Sequence, residues 1–231
     1  NDVPGSTEEI ISMYAPDSPY TIYDKEYWWA GKWDPYKYGK DYDFSRPFFE
    51  QFDELLKTVP LQSLQLMNSV NSQYCNYIDN NKNCYLAFGS GWSENSRYLN
   101  RSSYTTESQD LLTSFHSELS YDLIDCINSF SLISSENCSN CVGSFFLYNC
   151  RNCTDCFGCY NLVSKSNCFF NEQLTKEEYD KKIKAINLGD RENFKKYKEK
   201  FEKEVKAKAV RRFANIIQSY NCVGHDINKS K

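Results

Sequence analysis

All eleven cysteines of this 231-residue chain occupy positions divisible by three: 75, 84, 126, 138, 141, 150, 153, 156, 159, 168 and 222. Independent positions would not agree in this way, so the chain must repeat in multiples of three residues. The stretch YNCRNCTDCFGCYN, from Tyr148 to Asn161, is where the rule is most densely filled. The dipeptides Asn71-Ser72, Asn83-Cys84, Asn95-Ser96, Glu107-Ser108, Leu119-Ser120, Asn137-Cys138, Asn152-Cys153 and Asn167-Cys168 follow at steps of 12, 12, 12, 12, 18, 15 and 15 residues. Such self-similarity marks a tandem array.

Overlaying the units gives three columns of small or apolar residues. The first is Ser72, Cys84, Ser96, Ser108, Ser120, Cys138, Cys153 and Cys168. The second is Cys75, Ala87, Leu99, Leu111, Leu123, Cys141 and Cys156. The third is Ile78, Ser90, Ser102, Ser114, Cys126, Ser144 and Cys159. Columns between them carry large, charged or polar residues such as Tyr85, Arg97, Gln109 and Tyr121. A coil of 12 to 18 residues is too narrow to hold bulky side chains, so small residues face its axis and large ones face out. Coils stacked about 4.8 Å apart bond to one another through their backbones. The expected fold is therefore mainly β with some helix: a narrow β-solenoid in which each turn is buried only against its neighbours. Thiols behave there as small hydrophobes, and serine hydroxyls bond to nearby carbonyls. The Asn preceding many inward residues tolerates left-handed backbone and can stack as a ladder at a corner.

Flanking segments complete four regions: 1–70, 71–171, 172–217 and 218–231. The first is an aromatic cap containing Trp28, Trp29 and Trp33, which could also serve as a binding platform for a sugar or peptide. Within it, SRPFFEQFDELLKTVP reads as a helix capped by Ser45, with Phe48, Phe49, Phe52, Leu55 and Leu56 on its apolar face. The third region is a helical hairpin: Thr175 and Glu178 form a capping box, and Gly189 separates the two helices. The second helix carries Phe194, Tyr197, Phe201, Val205, Ala209 and Phe213 on one stripe, which should dock on the solenoid or on its helical neighbour. At 218–231, Asn221-Cys222 repeats the Asn-Cys signature, as the start of a further, incomplete coil.

The run EYWWAGKWDPYKYGKDYDFSRPFFEQFDELLKTVP resembles a family of uncharacterised zinc-ribbon, Asn/Cys-rich repeat proteins of candidate-phylum bacteria. So do NKNCYLAFGS, FFLYNCRNCTDCFGCYNL and FNEQLTKEEYDKKI, and the likeness extends from about Ile10 to the end. It implies Cys-pair zinc knuckles ahead of the repeats and no particular reaction. Here the knuckle positions hold Val3, Ser6, Asp24 and Tyr27, so the four thiolates of a tetrahedral zinc site are missing. The N-terminal hairpin is thus expected to keep its fold without metal.

A net charge of −4 excludes general affinity for nucleic acid or anionic membranes. The charge is uneven, with residues 172–213 carrying five more bases than acids. No segment is apolar for long enough to span a bilayer. An odd number of cysteines cannot all pair internally, and reduced thiols would place the protein in the cytoplasm.

Three groups of residues offer chemistry. Cys150, Cys153, Cys156 and Cys159 match part of an iron–sulfur run, although Ser and Leu fill equivalent columns elsewhere. Cys138 and Cys153, if stacked, would lie within disulfide range. Asp110, Asp122, Asn140 and Asp155 align in one row, and paired carboxylates about 5 Å apart are the apparatus of retaining glycosidases. His116 and His225, far apart in sequence, belong to no recognisable catalytic set. The expectation is therefore a non-catalytic scaffold without cofactor, presenting a ridged surface to a protein or glycan, with oligomers able to form through solenoid ends. The alternatives are a thiol-based metal or redox protein, and a carbohydrate-binding or carbohydrate-active solenoid using Asp110, Asp122 and Asp155.

Overall fold

The computed structural model describes residues 9–211, 213–214, 216–224 and 227–230. The first elements are β1 (Ile22–Tyr23), α1 (Lys25–Trp29), α2 (Phe48–Thr58), β2 (Leu61–Gln62), β3 (Leu66–Met67) and β4 (Asn76–Asp79). Next come β5 (Tyr85–Gly91), β6 (Arg97–Asn100), β7 (Ser103–Thr106), β8 (Gln109–Leu112), β9 (Phe115–Glu118) and β10 (Tyr121–Ile124). Then follow β11 (Ile127–Glu136), β12 (Val142–Tyr148), β13 (Phe157–Tyr160), β14 (Cys168–Phe169) and β15 (Glu172–Gln173). The chain ends with α3 (Lys176–Ile186), α4 (Arg191–Lys208), β16 (Ile216–Ile217) and β17 (Ile227–Asn228). Two compact units, Asn1–Ser131 and Leu132–Lys231, divide within β11. The fold is mainly β: a narrow β-solenoid with an aromatic N-terminal segment and two helices after the coils.

In the first unit each coil is 12 residues long. Parallel pairing matches Tyr85 with Arg97, Arg97 with Gln109 and Gln109 with Tyr121. Each coil is four triplets with one shared grammar. The first residue of a triplet carries the ladder, the second is left-handed, and the third points in. From Tyr77 to Asn128 every second-place residue has φ between +49° and +62°. Every inward residue from Ser72 to Ser129 is at most 4% exposed.

Left-handed backbone costs an L-residue about 1–2 kcal/mol, and β-branched residues tolerate it worst. Accordingly no Val or Ile occupies a second place between Asn71 and Phe170, and Thr113 is the lone Thr there. First places, by contrast, accept Ile124, Ile127 and Val142.

The interior is chosen by hydrogen bonding as much as by size. Ser96 donates its hydroxyl to Glu94 O at 2.9 Å and accepts from Ser108 N at 3.2 Å, one coil on. Ser102 and Ser114 repeat the arrangement. Thiols do the same more loosely: Cys84 Sγ donates to Lys82 O and Ser93 O, and Cys75 Sγ accepts from Ala87 N. Only a short group with both a donor and an acceptor can serve both coils.

A fourth inward column, beyond the three expected, holds Asn81, Ser93, Thr105, Ser117 and Ser129. It follows from the same three-residue step once the coil is known to have four sides.

The second unit keeps the 12-residue coil. Phe145 pairs with Phe157 and Phe157 with Phe169, while Arg151 bridges Ser139 and Val163. Coil length is thus the lower end of the expected span, and the steps of 15 between Asn-Cys pairs mark sides of a coil. Since all four sides share one grammar, the pair can occupy any of them. Asn152 stacks on Asn140, its Oδ1 accepting from Asn140 Nδ2 at 3.1 Å, and not on Asn137. Cys138 and Cys153 therefore do not stack, which corrects the disulfide alternative, and every cysteine is a free thiol.

The last coil folds back through antiparallel β14 and β15 into α3. Thr175 and Glu178 make the anticipated capping box, and Asp190 caps α4 through Glu192 N and Asn193 N. Both helices lie on Phe146 and Phe157, which are 0% exposed and packed against Phe194, Tyr197, Phe201 and Val205. Burying each such ring contributes on the order of 2 kcal/mol. Phe213 is a correction: α4 ends at Lys208 and the ring is fully exposed. Beyond it, β16 and β17 pair in parallel at an 11-residue step, Ile216 with Ile227, and Gln218, Asn221 and Lys229 are again left-handed.

In the first unit, β1 pairs with β2 ahead of the coils, and Trp28 Nε1 donates to Pro60 O at 2.8 Å. Helix α2 starts one residue after Pro47, which supplies no side-chain cap. Ser45 instead bonds to Asp43, correcting its expected capping role.

Candidate functional site

The 12-residue register brings together residues scattered through the sequence. One side of four consecutive coils carries the first-place row Tyr85, Arg97, Gln109 and Tyr121 and the second-place row Leu86, Tyr98, Asp110 and Asp122. Tyr74 joins at one end, its ring 5.6 Å from that of Tyr85, and Tyr98 lies 5.9 Å from Tyr85. Both contacts are edge-to-face, at 66° and 78°. Tyr74, Tyr85, Tyr98 and Tyr121 are 52%, 45%, 45% and 38% exposed. Between these rings lie the Arg97 guanidinium, the Gln109 amide and two carboxylates, and Gln109 Nε2 donates to Asp110 Oδ2 at 3.3 Å.

This face is rigid for the reasons that make the fold. Beneath it Ala87, Leu99, Leu111 and Leu123 are buried and stacked in register. Its backbone groups are committed between coils, as in Tyr85 N to Ser96 O, Arg97 N to Ser108 O and Gln109 N to Ser120 O. Side chains alone are presented.

The proposed acidic row is only partly assembled. Asp110 and Asp122 are neighbours in register. Asn140 belongs to the row of Asn152, whereas Asp155 accepts from Lys176 Nζ at 2.9 Å. Asp155 and Asn140 thus lie on different sides of the second unit's coils, so the four-residue row does not form. The surviving pair sits on an open face.

Cys150, Cys153, Cys156 and Cys159 face inward on successive sides and are each 0% exposed. Their thiols donate to backbone carbonyls: Cys150 to Tyr148 O and Cys159 O, Cys153 to Arg151 O and Leu162 O. Cys141, Cys150 and Cys156 hydrogen-bond to Cys153 and hold its thiol below the ordinary range. The bond to Cys153, then that to Cys159, pushes Cys156 up. Burial pushes up Cys75, Cys84 and Cys168. Among the described residues, no group of three or more His, Cys, Asp or Glu is arranged to hold a metal ion.

Trp28 and Trp33 are half-buried and tied into the cap, Trp33 Nε1 donating to Trp28 O at 2.9 Å. Trp29 is exposed and bonds to Gln62 Oε1. Asp24 caps α1 by accepting from Glu26 N and Tyr27 N. Val3, Ser6 and His225 fall outside the described residues. His116 stacks on Tyr104 and Tyr104 on Trp92, at 4.6 and 5.3 Å with the rings nearly parallel. No described helix is long and apolar enough to cross a membrane.

Compared with known proteins, the chain matches no family model and no curated sequence.

Proposed function

We propose that this chain is a non-catalytic binding scaffold, and that it engages its partner through the tyrosine-bordered side of the first unit. The observation carrying this reading is the exposure of four Tyr rings around a polar centre on a backbone that cannot rearrange. Tyrosine is enriched where proteins meet partners, because its ring is apolar and its hydroxyl polar. A rigid presentation loses little conformational entropy on binding. The likeness to zinc-ribbon repeat proteins belongs to this proposal, with a cap of aromatic packing and backbone bonds where the family has metal.

The test is a panel of immobilised peptides and glycans probed with the wild-type protein, a Tyr85→Ser/Tyr98→Asn variant and a Trp29→Ala variant. Asn is chosen at 98 because that backbone is left-handed. Binding lost in the double variant and kept in Trp29→Ala supports the assigned face. Binding kept in the double variant and lost in Trp29→Ala transfers the function to the cap.

A further inference from the structure

Resting on the reading above, we infer that the ligand of the Tyr85–Tyr121 face is a linear, uncharged polysaccharide chain lying along the solenoid axis. Size is the first consideration. Four coils at about 4.8 Å per step and a side three residues wide give a strip of about 14 by 10 Å, on the order of 140 Å² in projection. A stable protein interface takes about 800 Å² from each partner. The strip is far too small for a folded protein and suits a single extended chain.

Chemistry then selects the chain. An extended peptide that binds by strand addition needs free backbone donors at a sheet edge, and this side has its backbone groups committed between coils. A nucleic acid would bring phosphates towards Asp110 and Asp122 with only Arg97 to offset them. A sugar chain fits both halves of the face. Its C–H surfaces pack on the tyrosine rings, of which Tyr85 and Tyr98 are each 45% exposed. Its hydroxyls donate to Asp110 and Asp122 and accept from Arg97 and the tyrosine hydroxyls. Gln109 already donates to Asp110, so that carboxylate is held in orientation before any ligand arrives. A pyranose ring is about as long as the spacing of two coils, so successive sugars meet successive coils. Rings border the strip at both ends, with Tyr85 at one and Tyr121 at the other, and Tyr74 lies one coil beyond Tyr85.

Calorimetric titration with cello-, manno-, xylo- and chito-oligosaccharides of increasing length tests this inference. For at least one series, affinity should rise with length and level off once the chain spans the four coils. Tyr85→Ser/Tyr98→Asn should weaken that binding by about tenfold or more. Asp110→Asn keeps the backbone preference and should weaken it by a smaller factor, with the melting temperature retained as a check on folding. Absence of binding in every series, with a peptide captured on this same face, overturns the glycan assignment and leaves the scaffold reading standing. Glycan binding that is unaffected by all three substitutions overturns both.

Discussion

Ser108 N donates to Ser96 Oγ at 3.2 Å, while the same Ser96 hydroxyl donates to Glu94 O at 2.9 Å. One side chain thereby satisfies groups on two successive coils in a space where water cannot enter. Ser96→Ala should cost about 1–3 kcal/mol, the penalty of leaving the buried Ser108 N–H unpaired, since Glu94 O keeps its bond from Glu107 N at 3.2 Å. Ser96→Cys should cost less, because sulfur can still donate and accept. Urea unfolding of the three proteins reads both differences directly.

Asn83 combines a left-handed backbone, φ +53°, with an amide ladder in which Asn71 Nδ2 reaches Asn83 Oδ1 and Asn83 Nδ2 reaches Asn95 Oδ1. Asn83→Gly removes the ladder and keeps the backbone freedom. Asn83→Ala removes both and adds about 1–2 kcal/mol of strain, and Asn83→Val should be worse again. Melting temperatures should fall in the order Asn, Gly, Ala, Val.

The triplet rule was readable in the sequence because inward and left-handed places share one period, so Cys84, Ser96 and Ser108 and their preceding residues line up by counting. The coil length in the second unit was not, because Asn137-Cys138 and Asn152-Cys153 look alike while lying on different sides. Counting between them measures more than one turn. The helices were visible from the stripe of Phe194, Tyr197, Phe201 and Val205, but their receiver was hidden. Phe146 stands in an outward place, which the pattern alone reads as solvent-facing. The tyrosine face was hidden for a related reason. Tyr85 stands in the first place of its triplet and Tyr74 and Tyr98 in the second, and only the 12-residue register shows that they touch.

Gly158 and Gly89 are both left-handed, yet they should respond differently to alanine. A Cβ at Gly158 would come within 2.9 Å of the Phe170 ring, whereas at Gly89 the nearest atom is an Arg101 side-chain carbon at 3.7 Å. Gly89→Ala should show backbone strain alone, about 1 kcal/mol. Gly158→Ala adds the steric clash and should exceed it by at least that amount, measured by thermal unfolding.

Burial holds the thiols of Cys75, Cys84 and Cys168 protonated to higher pH than usual. An acid whose folded pKa is raised adds stability that is fully present below its unfolded value and is lost as pH rises through the folded one. The contribution of these three thiols should therefore hold up to about pH 8 and decline as the pH passes the ordinary thiol value of about 8.5. Replacing Cys84 by Ser, which does not titrate there, should flatten part of the decline.

Thiol counting tests most directly whether sulfur and hydroxyl groups fill the interior of the coils. Ten cysteines are buried and Cys222 is half-exposed, among eleven in the sequence. Under non-reducing conditions, the native protein should react with an aromatic disulfide reagent at one site, and the same sample in denaturant at all eleven. Prompt reaction of Cys150, Cys153, Cys156 or Cys159 in the native state would contradict the inward placement. A denatured count below eleven would contradict the free thiols.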